Sequence, residues 1–272
     1  DEVFIMANNQ AVVMSAANLD IIENNLGQLA KNIGSVSVNV EQVDNKVNKV
    51  TDSVKTIGEA AFLGCESVKN IVIGKGLETF EINTFGRCTS LETITVDSEN
   101  PNFLSDEFGV LFDKDKTLLV KYPEGNLRTK YTIPNSVTII EANAFLASAN
   151  LTEVIIPDGV TIIGTSAFAE SASLKTIEIP DSVTTMGEDV FNYCLKLEKA
   201  KLPDGISRIE AQTFYLCEGL TEVIIPASVN NIGQNAFGEC ISLETINYKG
   251  TRSQWGELIV EGGNQPINNA II

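Results

Sequence analysis

The sequence predicts a right-handed repeat solenoid of 23-residue units with short strands, poor in α/β layering, preceded by an N-terminal helix. The repeat carries most of that prediction. Counting from Val54, apolar residues fall at offsets 0, 3, 8, 11, 14, 17 and 19: Val54, Ile57, Phe62, Cys65, Val68, Ile71 and Ile73. The same register restarts at Leu77, Val137, Val160, Val183, Ile206 and Val229, at intervals of 23 residues except for the 60 between Leu77 and Val137. One slot is phenylalanine in all seven units: Phe62, Phe85, Phe145, Phe168, Phe191, Phe214 and Phe237. Self-similarity at such a period marks a chain of stacked supersecondary units, each too small to bury its own apolar face.

Within a unit the elements follow in order. Leu174-x-x-Ile177-x-Ile179 has the strand pattern of a leucine-rich repeat, with Ile177 and Ile179 inward and Glu178 outward by the period of two. Pro134, Pro157, Pro180, Pro203 and Pro226 follow that strand in five units, where the missing N–H ends the ladder. A second short strand passes through Val183 and Met186 to a corner marked by Gly58, Gly164, Gly187 and Gly233. Those glycines are expected to supply the positive φ of the corner. The AF-x-x-C stretch that follows is expected to form one helical turn whose phenylalanine fills the space between rungs.

The 60-residue gap equals 23 plus 37. Stepping back 23 from Val137 places Tyr122 in the aromatic slot and Tyr131 and Ile133 in the strand slots, a degenerate eighth unit after a 14-residue insertion. Gly109 to Pro123 equally reads as two apolar strands around a polar DKDK turn, a hairpin leaving the stack. The expected organisation is residues 1–50, the solenoid at 51–250 with its insertion at about 97–133, and a C-terminal cap at 251–272.

Leu19, Ile22, Leu26, Leu29, Ile33, Val36, Val40, Val43, Val47 and Val50 alternate spacings of 3 and 4, a heptad seam with Ser15 as helix N-cap. It predicts either a self-associating coiled coil through residues 19–50 or a helix folded back over the first rung. Gly27 and Gly34 oppose a helix, and Ser35 to Val40 also suits a strand. At the other end Thr251 to Leu258, with Trp255, is expected to form a capping helix, and Gly262 to Ile272 a final strand.

Composition excludes several functions. The chain has 36 acidic and 19 basic residues, a formal charge of −17, which disfavours nucleic acid and anionic membrane surfaces as partners. No run approaches the ~18 apolar residues that span a bilayer, and no basic, apolar, small-residue signal pattern opens the sequence. Histidine is absent, which removes serine–histidine and cysteine–histidine catalysis and the commonest neutral metal ligand. Asp97, Glu99, Asp113 and Asp115 lack the glycine and terminal glutamate of a calcium loop and are expected to be solvated turn carboxylates. No catalytic residue, metal or cofactor is expected, and the chain is read as a binding protein rather than an enzyme.

Cys65, Cys88, Cys194, Cys217 and Cys240 share one slot with Ser148 and Ser171, so they are expected to be small, packed thiols in a dry core. Neighbouring rungs bring such residues near disulfide range, but an odd number of inward sulfurs favours packing.

The units IPDSVTTMGEDVFNYCLKLEKAKL and IPASVNNIGQNAFGECISLETI resemble the BspA-type leucine-rich repeats of bacterial surface proteins, from about Val54 to Ala270. The resemblance implies a cell-surface or secreted protein that adheres to host matrix proteins or other cells. It supplies no catalytic motif and no fixed binding residues.

Solenoids bind along equivalent positions of successive rungs. The outward strand columns read Val72, Thr95, Ile155, Glu178, Lys201, Ile224, Asn247 and Asn70, Thr93, Glu153, Thr176, Lys199, Glu222, Thr245. Glu153, Ile155, Glu178, Lys199, Lys201, Glu222 and Ile224 are the candidate binding residues, and Lys196, Lys199, Lys201 and Arg208 are expected to form a basic island. The expected ligand is a protein or, on an oligomeric fibre, a glycan or receptor.

Overall fold

A computed structural model describes residues 2–7, 10–15, 47–50, 52, 54–58, 60–81, 84–268 and 270. The chain divides into two compact units, Asp1–Lys114 with Pro123–Gly125 and Asp115–Tyr122 with Asn126–Ile272. Each is a β-solenoid of 23-residue turns with very little helix, as the repeat predicts.

In the first unit, strands Val47–Val50, Asn70–Ile73 and Thr93–Val96 pair in parallel, each residue opposite the one 23 positions on. The second side of the coil starts with an antiparallel hairpin, Glu2–Ala7 against Gln10–Ser15, which continues in parallel into Thr56–Ile57 and Thr79–Phe80. Phe62 and Phe85 stack at 5.5 Å. The insertion forms an antiparallel pair, Phe103–Ser105 with Leu111–Asp113. Asn100, fully buried, pins its start: the amide donates to Gly74 and Leu77 carbonyls while Oδ1 accepts from Asn102 and Phe103 N–H. Gly109 ends the turn at φ +76°, where a Cβ would stand 2.6 Å from the Thr93 Cβ.

The second unit has one six-stranded parallel sheet: Lys130–Thr132, Glu153–Ile155, Thr176–Glu178, Lys199–Lys201, Glu222–Ile225 and Thr245–Tyr248. The other side carries short strands in two runs, Leu118–Lys121, Ile139–Ile140, Ile162–Ile163, Thr185–Met186 and then Arg208–Ile209, Asn231–Ile232, Ile259–Val260. Between the two sides runs the aromatic column. Tyr122, Phe145, Phe168, Phe191, Phe214 and Phe237 stack at centroid spacings of 4.8 to 5.5 Å. Each buried ring contributes ~1.5–3 kcal/mol, so the column is a large apolar term beside the more numerous buried Ile, Leu and Val side chains.

Tyr122 therefore fills the aromatic slot of the degenerate turn, and Tyr131 pairs with Val154 at the regular offset of 23. Its second strand is two residues short: Leu119 pairs with Ile140, an offset of 21. Leu118–Lys121 is thus a rung strand, and Leu111–Asp113 takes part in the antiparallel pair of the insertion.

The corner differs from expectation in two ways. First, the AF-x-x-C stretch is not helical. Two residues per rung adopt left-handed φ, such as Asn143 and Ala147, Ser166 and Glu170, or Asp189 and Tyr193. The alternation turns every second N–H toward the next rung: Asn143, Phe145 and Ala147 donate to Thr165, Ala167 and Ala169 carbonyls. A helical turn would keep those bonds within the segment and leave the rungs unjoined there. Second, Gly164, Gly187 and Gly233 are not among the positive-φ residues. They are needed because the preceding rung comes close; a Cβ on Gly187 would stand 2.5 Å from Thr165 N.

The N-terminal helix is corrected where it can be seen. Val47 to Val50 form a strand continuous with Asn70–Ile73, because the rung beside them offers a parallel edge that an isolated β-branched turn of helix cannot match. The rest of the heptad seam, and Ser35 to Val40, lie outside the described residues. At the C-terminus Arg252–Gly256 is a short helix, N-capped by Thr251 in a capping box with Gln254, and Trp255 meets Tyr248 edge to face at 5.3 Å. Among the described residues of Gly262 to Ile272 there is a 3-10 turn, Gln265–Asn268, and no strand; the last strand is Ile259–Val260, beside Asn231–Ile232.

Candidate protein-binding face

The six-stranded sheet of the second unit brings all seven candidate residues onto one surface. Val154, Ile177, Ala200 and Val223 point into the core, so their strand neighbours point out. The first outward column is Lys130, Glu153, Thr176, Lys199, Glu222 and Thr245, each residue directly opposite the next. The second contains Thr132 opposite Ile155 and, further along, Glu178, Lys201, Ile224 and Asn247 in succession. Ile155 is 51% exposed, so the face mixes charge with an uncovered aliphatic side chain.

Charges on this face are arranged as cross-strand pairs. Lys130 Nζ lies 2.6 Å from Glu153, Lys199 Nζ 2.8 Å from Glu222, and Lys201 Nζ 2.8 Å from Glu178. The hydrogen bond that Lys199 donates to Glu222 raises the Lys199 pKa, and the one that Lys201 donates to Glu178 raises the Lys201 pKa. All six groups stay substantially solvated, so each pair contributes ~0–1 kcal/mol. Their effect is to fix side-chain direction and cancel local charge.

The basic island therefore does not form as one patch. Lys199 and Lys201 are neutralised by the neighbouring strands, and Arg208 belongs to the other sheet, where it bridges Glu210 and Glu261 at 2.9 Å each. The hydrogen bond to Glu261 raises its pKa further. Lys196 sits in the turn after Cys194. Opposite charges 23 residues apart were the readable signal for these pairs, since that spacing makes residues cross-strand neighbours.

The five cysteines are buried thiols outside any disulfide. Burial pushes the Cys194 and Cys240 thiols up to about 12, and Cys217 is raised by the same cause. Among the described residues no group of three or more Cys, Asp or Glu side chains is placed to hold a metal, Asp97, Glu99, Asp113 and Asp115 included. No helix among them is long and apolar enough to cross a membrane.

A family model for the BspA type leucine rich repeat region matches in six copies over residues 20–109 and 138–261. A leucine rich cell surface protein from Faecalibacterium prausnitzii A2-165 is similar at 29% identity and a TM-score of 0.70, over 80% of this chain and 63% of its own. A leucine-rich repeat protein from Eubacterium ventriosum ATCC 27560 is similar at 25% identity and a TM-score of 0.65, over 74% of this chain and 66% of its own. The pneumococcal vaccine antigen PcpA, at 22% identity and a TM-score of 0.50 over 79% and 68% of the two chains, shares the fold alone. The chain spans less than two thirds of the length of either of the first two. No protein of curated function matches. With the repeat matched across most of the sequence, and its strand, proline, aromatic and cysteine slots in one stacked geometry, the chain belongs to the BspA-type leucine-rich-repeat family.

Proposed function

We propose that this chain is a cell-surface or secreted binding protein whose six-stranded face adheres to host matrix proteins or to other cells. One observation carries the reading. Inward positions of the sheet repeat from rung to rung, whereas the outward columns change at nearly every step, through Lys130, Glu153, Thr176 and Lys199 in one and Thr132, Ile155 and Glu178 in the other. Stacking accounts for the first set and leaves the second to solvent, apart from weak cross-strand ion pairs. Similarity to a protein described as a cell surface protein supports display outside the cell.

Strands about 4.8 Å apart give the face a length of roughly 24 Å. With strands mostly three residues, about 10 Å, long, the flat face covers roughly 240 Å², less than the ~800 Å² per partner of a stable interface, so a partner must also reach the flanking turns. Because the lysines are already paired, aliphatic contact at Ile155 and Ile224 should matter more than net charge.

The test is binding of the chain to immobilised collagen, laminin and fibronectin, with a glycan array alongside. Ile155→Asp should weaken any matrix-protein binding at least tenfold, and Lys199→Glu with Lys201→Glu should weaken it by a smaller factor, while the melting curve of each variant stays cooperative. Unchanged binding in both variants would remove this face from the reading, and binding confined to glycans would replace it.

A further inference from the structure

The corner of the second unit carries an apolar patch that rung stacking does not require. Tyr193 and Leu195 are 45% and 42% exposed and Ile241 is 73% exposed. Tyr215, from the next rung, meets Tyr193 edge to face at 6.1 Å.

Two local features hold this tyrosine pair in place. Tyr215 lies over Gly238, where a Cβ would come 2.8 Å from Cδ2 and 3.1 Å from Cε2 of the ring. The seat exists because that slot has no side chain. Tyr193 sits at φ +59°, in a slot that Gly64 fills in another rung. The same left-handed slot recurs at Ala147, Glu170, Leu216 and Glu239, so the rung geometry fixes the backbone there and at this rung the slot carries a tyrosine that is 45% exposed.

The surroundings are acidic. Glu170 and Glu239 occupy the Tyr193 slot in other rungs, and Glu218 lies between Leu195 and Ile241 in theirs. None of these three carboxylates makes an ion pair among the described residues. Lys196 is the only basic residue in the corner segments 164–173, 187–196, 210–219 and 233–242. The sheet face is the opposite case, with its lysines matched by glutamates.

We propose that Tyr193, Tyr215, Leu195 and Ile241, ringed by Glu170, Glu218 and Glu239, dock a short basic segment of a partner protein. An arginine or lysine head within ~6 Å of a tyrosine ring is attracted by its π face, and its alkyl stem can lie along Leu195. Unpaired carboxylates around the aromatics select a cation over the neutral hydroxyls of a glycan. From the Tyr193 rung to the Ile241 rung is roughly 10 Å, about three residues of extended chain.

The experiment titrates fluorescein-labelled hexa-arginine into the whole chain by anisotropy, with amide chemical shifts mapped on the wild type. The expected shifts centre on Tyr193, Tyr215 and Gly238. Tyr193→Ala with Tyr215→Ala, which leaves net charge unchanged, should weaken binding at least fivefold, and Tyr193→Phe with Tyr215→Phe should restore it. Glu170→Gln, Glu218→Gln and Glu239→Gln together should also weaken binding and flatten its salt dependence, while Ile155→Asp should leave the mapped site unchanged. Equal affinity in the wild type and the double alanine variant, or shifts spread over the surface, means general attraction to a chain of charge −17 and overturns the proposal. So does a neutral oligosaccharide that binds the tyrosines while hexa-arginine does not.

Discussion

At the slot shared by Cys88, Ser148, Ser171, Cys194, Cys217 and Cys240, the side chain must fit a dry space and also donate a hydrogen bond. Cys88 Sγ donates to the Phe62 carbonyl at 3.0 Å, Cys194 to Phe168 at 3.2 Å, Cys217 to Phe191 at 3.1 Å and Cys240 to Phe214 at 3.0 Å. Ser171 Oγ does the same for Phe145 at 2.9 Å. Each thus gives a carbonyl of the rung before it a second donor, beside the backbone N–H three residues on. Ser148 is the exception: its preceding rung is the shortened one, and its hydroxyl has no partner. Phe145 O keeps its bond from Ser148 N–H when the Ser171 hydroxyl is removed, so the loss is that of one net hydrogen bond, whereas removing an unmatched hydroxyl costs little. Ser171→Ala should therefore lower stability by ~0.5–1.5 kcal/mol. Ser148→Ala should be close to neutral or stabilising. Urea midpoints at unchanged slope decide it, and equal losses in both variants would show that the slot requires size alone.

For whole elements, what the sequence reveals depends on which physical quantity the pattern encodes. Strands were legible because Ile177 and Ile179 alternate with Glu178, and inward or outward direction is what a period of two records. The aromatic column was legible for a similar reason, even at Tyr122. The corner was not, because apolar spacing is silent on the sign of φ. A weak signal was present: Asn143, Ser166, Asp189 and Asn235 share the first left-handed slot, and Asn and Asp tolerate that region best. The end of the stack was misread for a related reason. Rungs joined by one-directional N–H donation leave donors open at the last turn, and a short polar segment can close them without a strand. Asn264 does so while 4% exposed: Oδ1 accepts from Phe237 N–H at 2.9 Å, and Nδ2 donates to Gly233 and Glu261 carbonyls at 2.9 and 2.8 Å. Asn264→Ala should destabilise the chain by ~2–4 kcal/mol, since it strands a buried donor and acceptor together. Loss should be local, with amide exchange accelerated at Phe237 and unchanged at Phe168; uniform acceleration would mean that the last rung is not a separate opening unit.

For the whole molecule the dominant electrostatic fact is an excess of 17 negative charges. Two effects oppose each other when salt is added. Ion pairs are screened, and so is the repulsion among unpaired carboxylates. The pairs on the binding face have N–O separations of 2.6 to 2.8 Å, inside any ordinary Debye length, and each contributes ~0–1 kcal/mol. Repulsion acts over longer distances. At 0.01 M ionic strength the Debye length of ~30 Å spans about six rungs, and at 0.15 M the ~8 Å length spans fewer than two. Salt should thus remove mainly the long-range destabilising part, which compacts many like charges along a stack. The expected outcome is a melting temperature that rises between 0.01 and 0.15 M sodium chloride. Glu170→Gln with Glu239→Gln, which removes two unpaired charges, should raise the starting value and shrink the rise. A melting temperature that falls over that range would show that the cross-strand pairs, rather than the excess charge, govern stability.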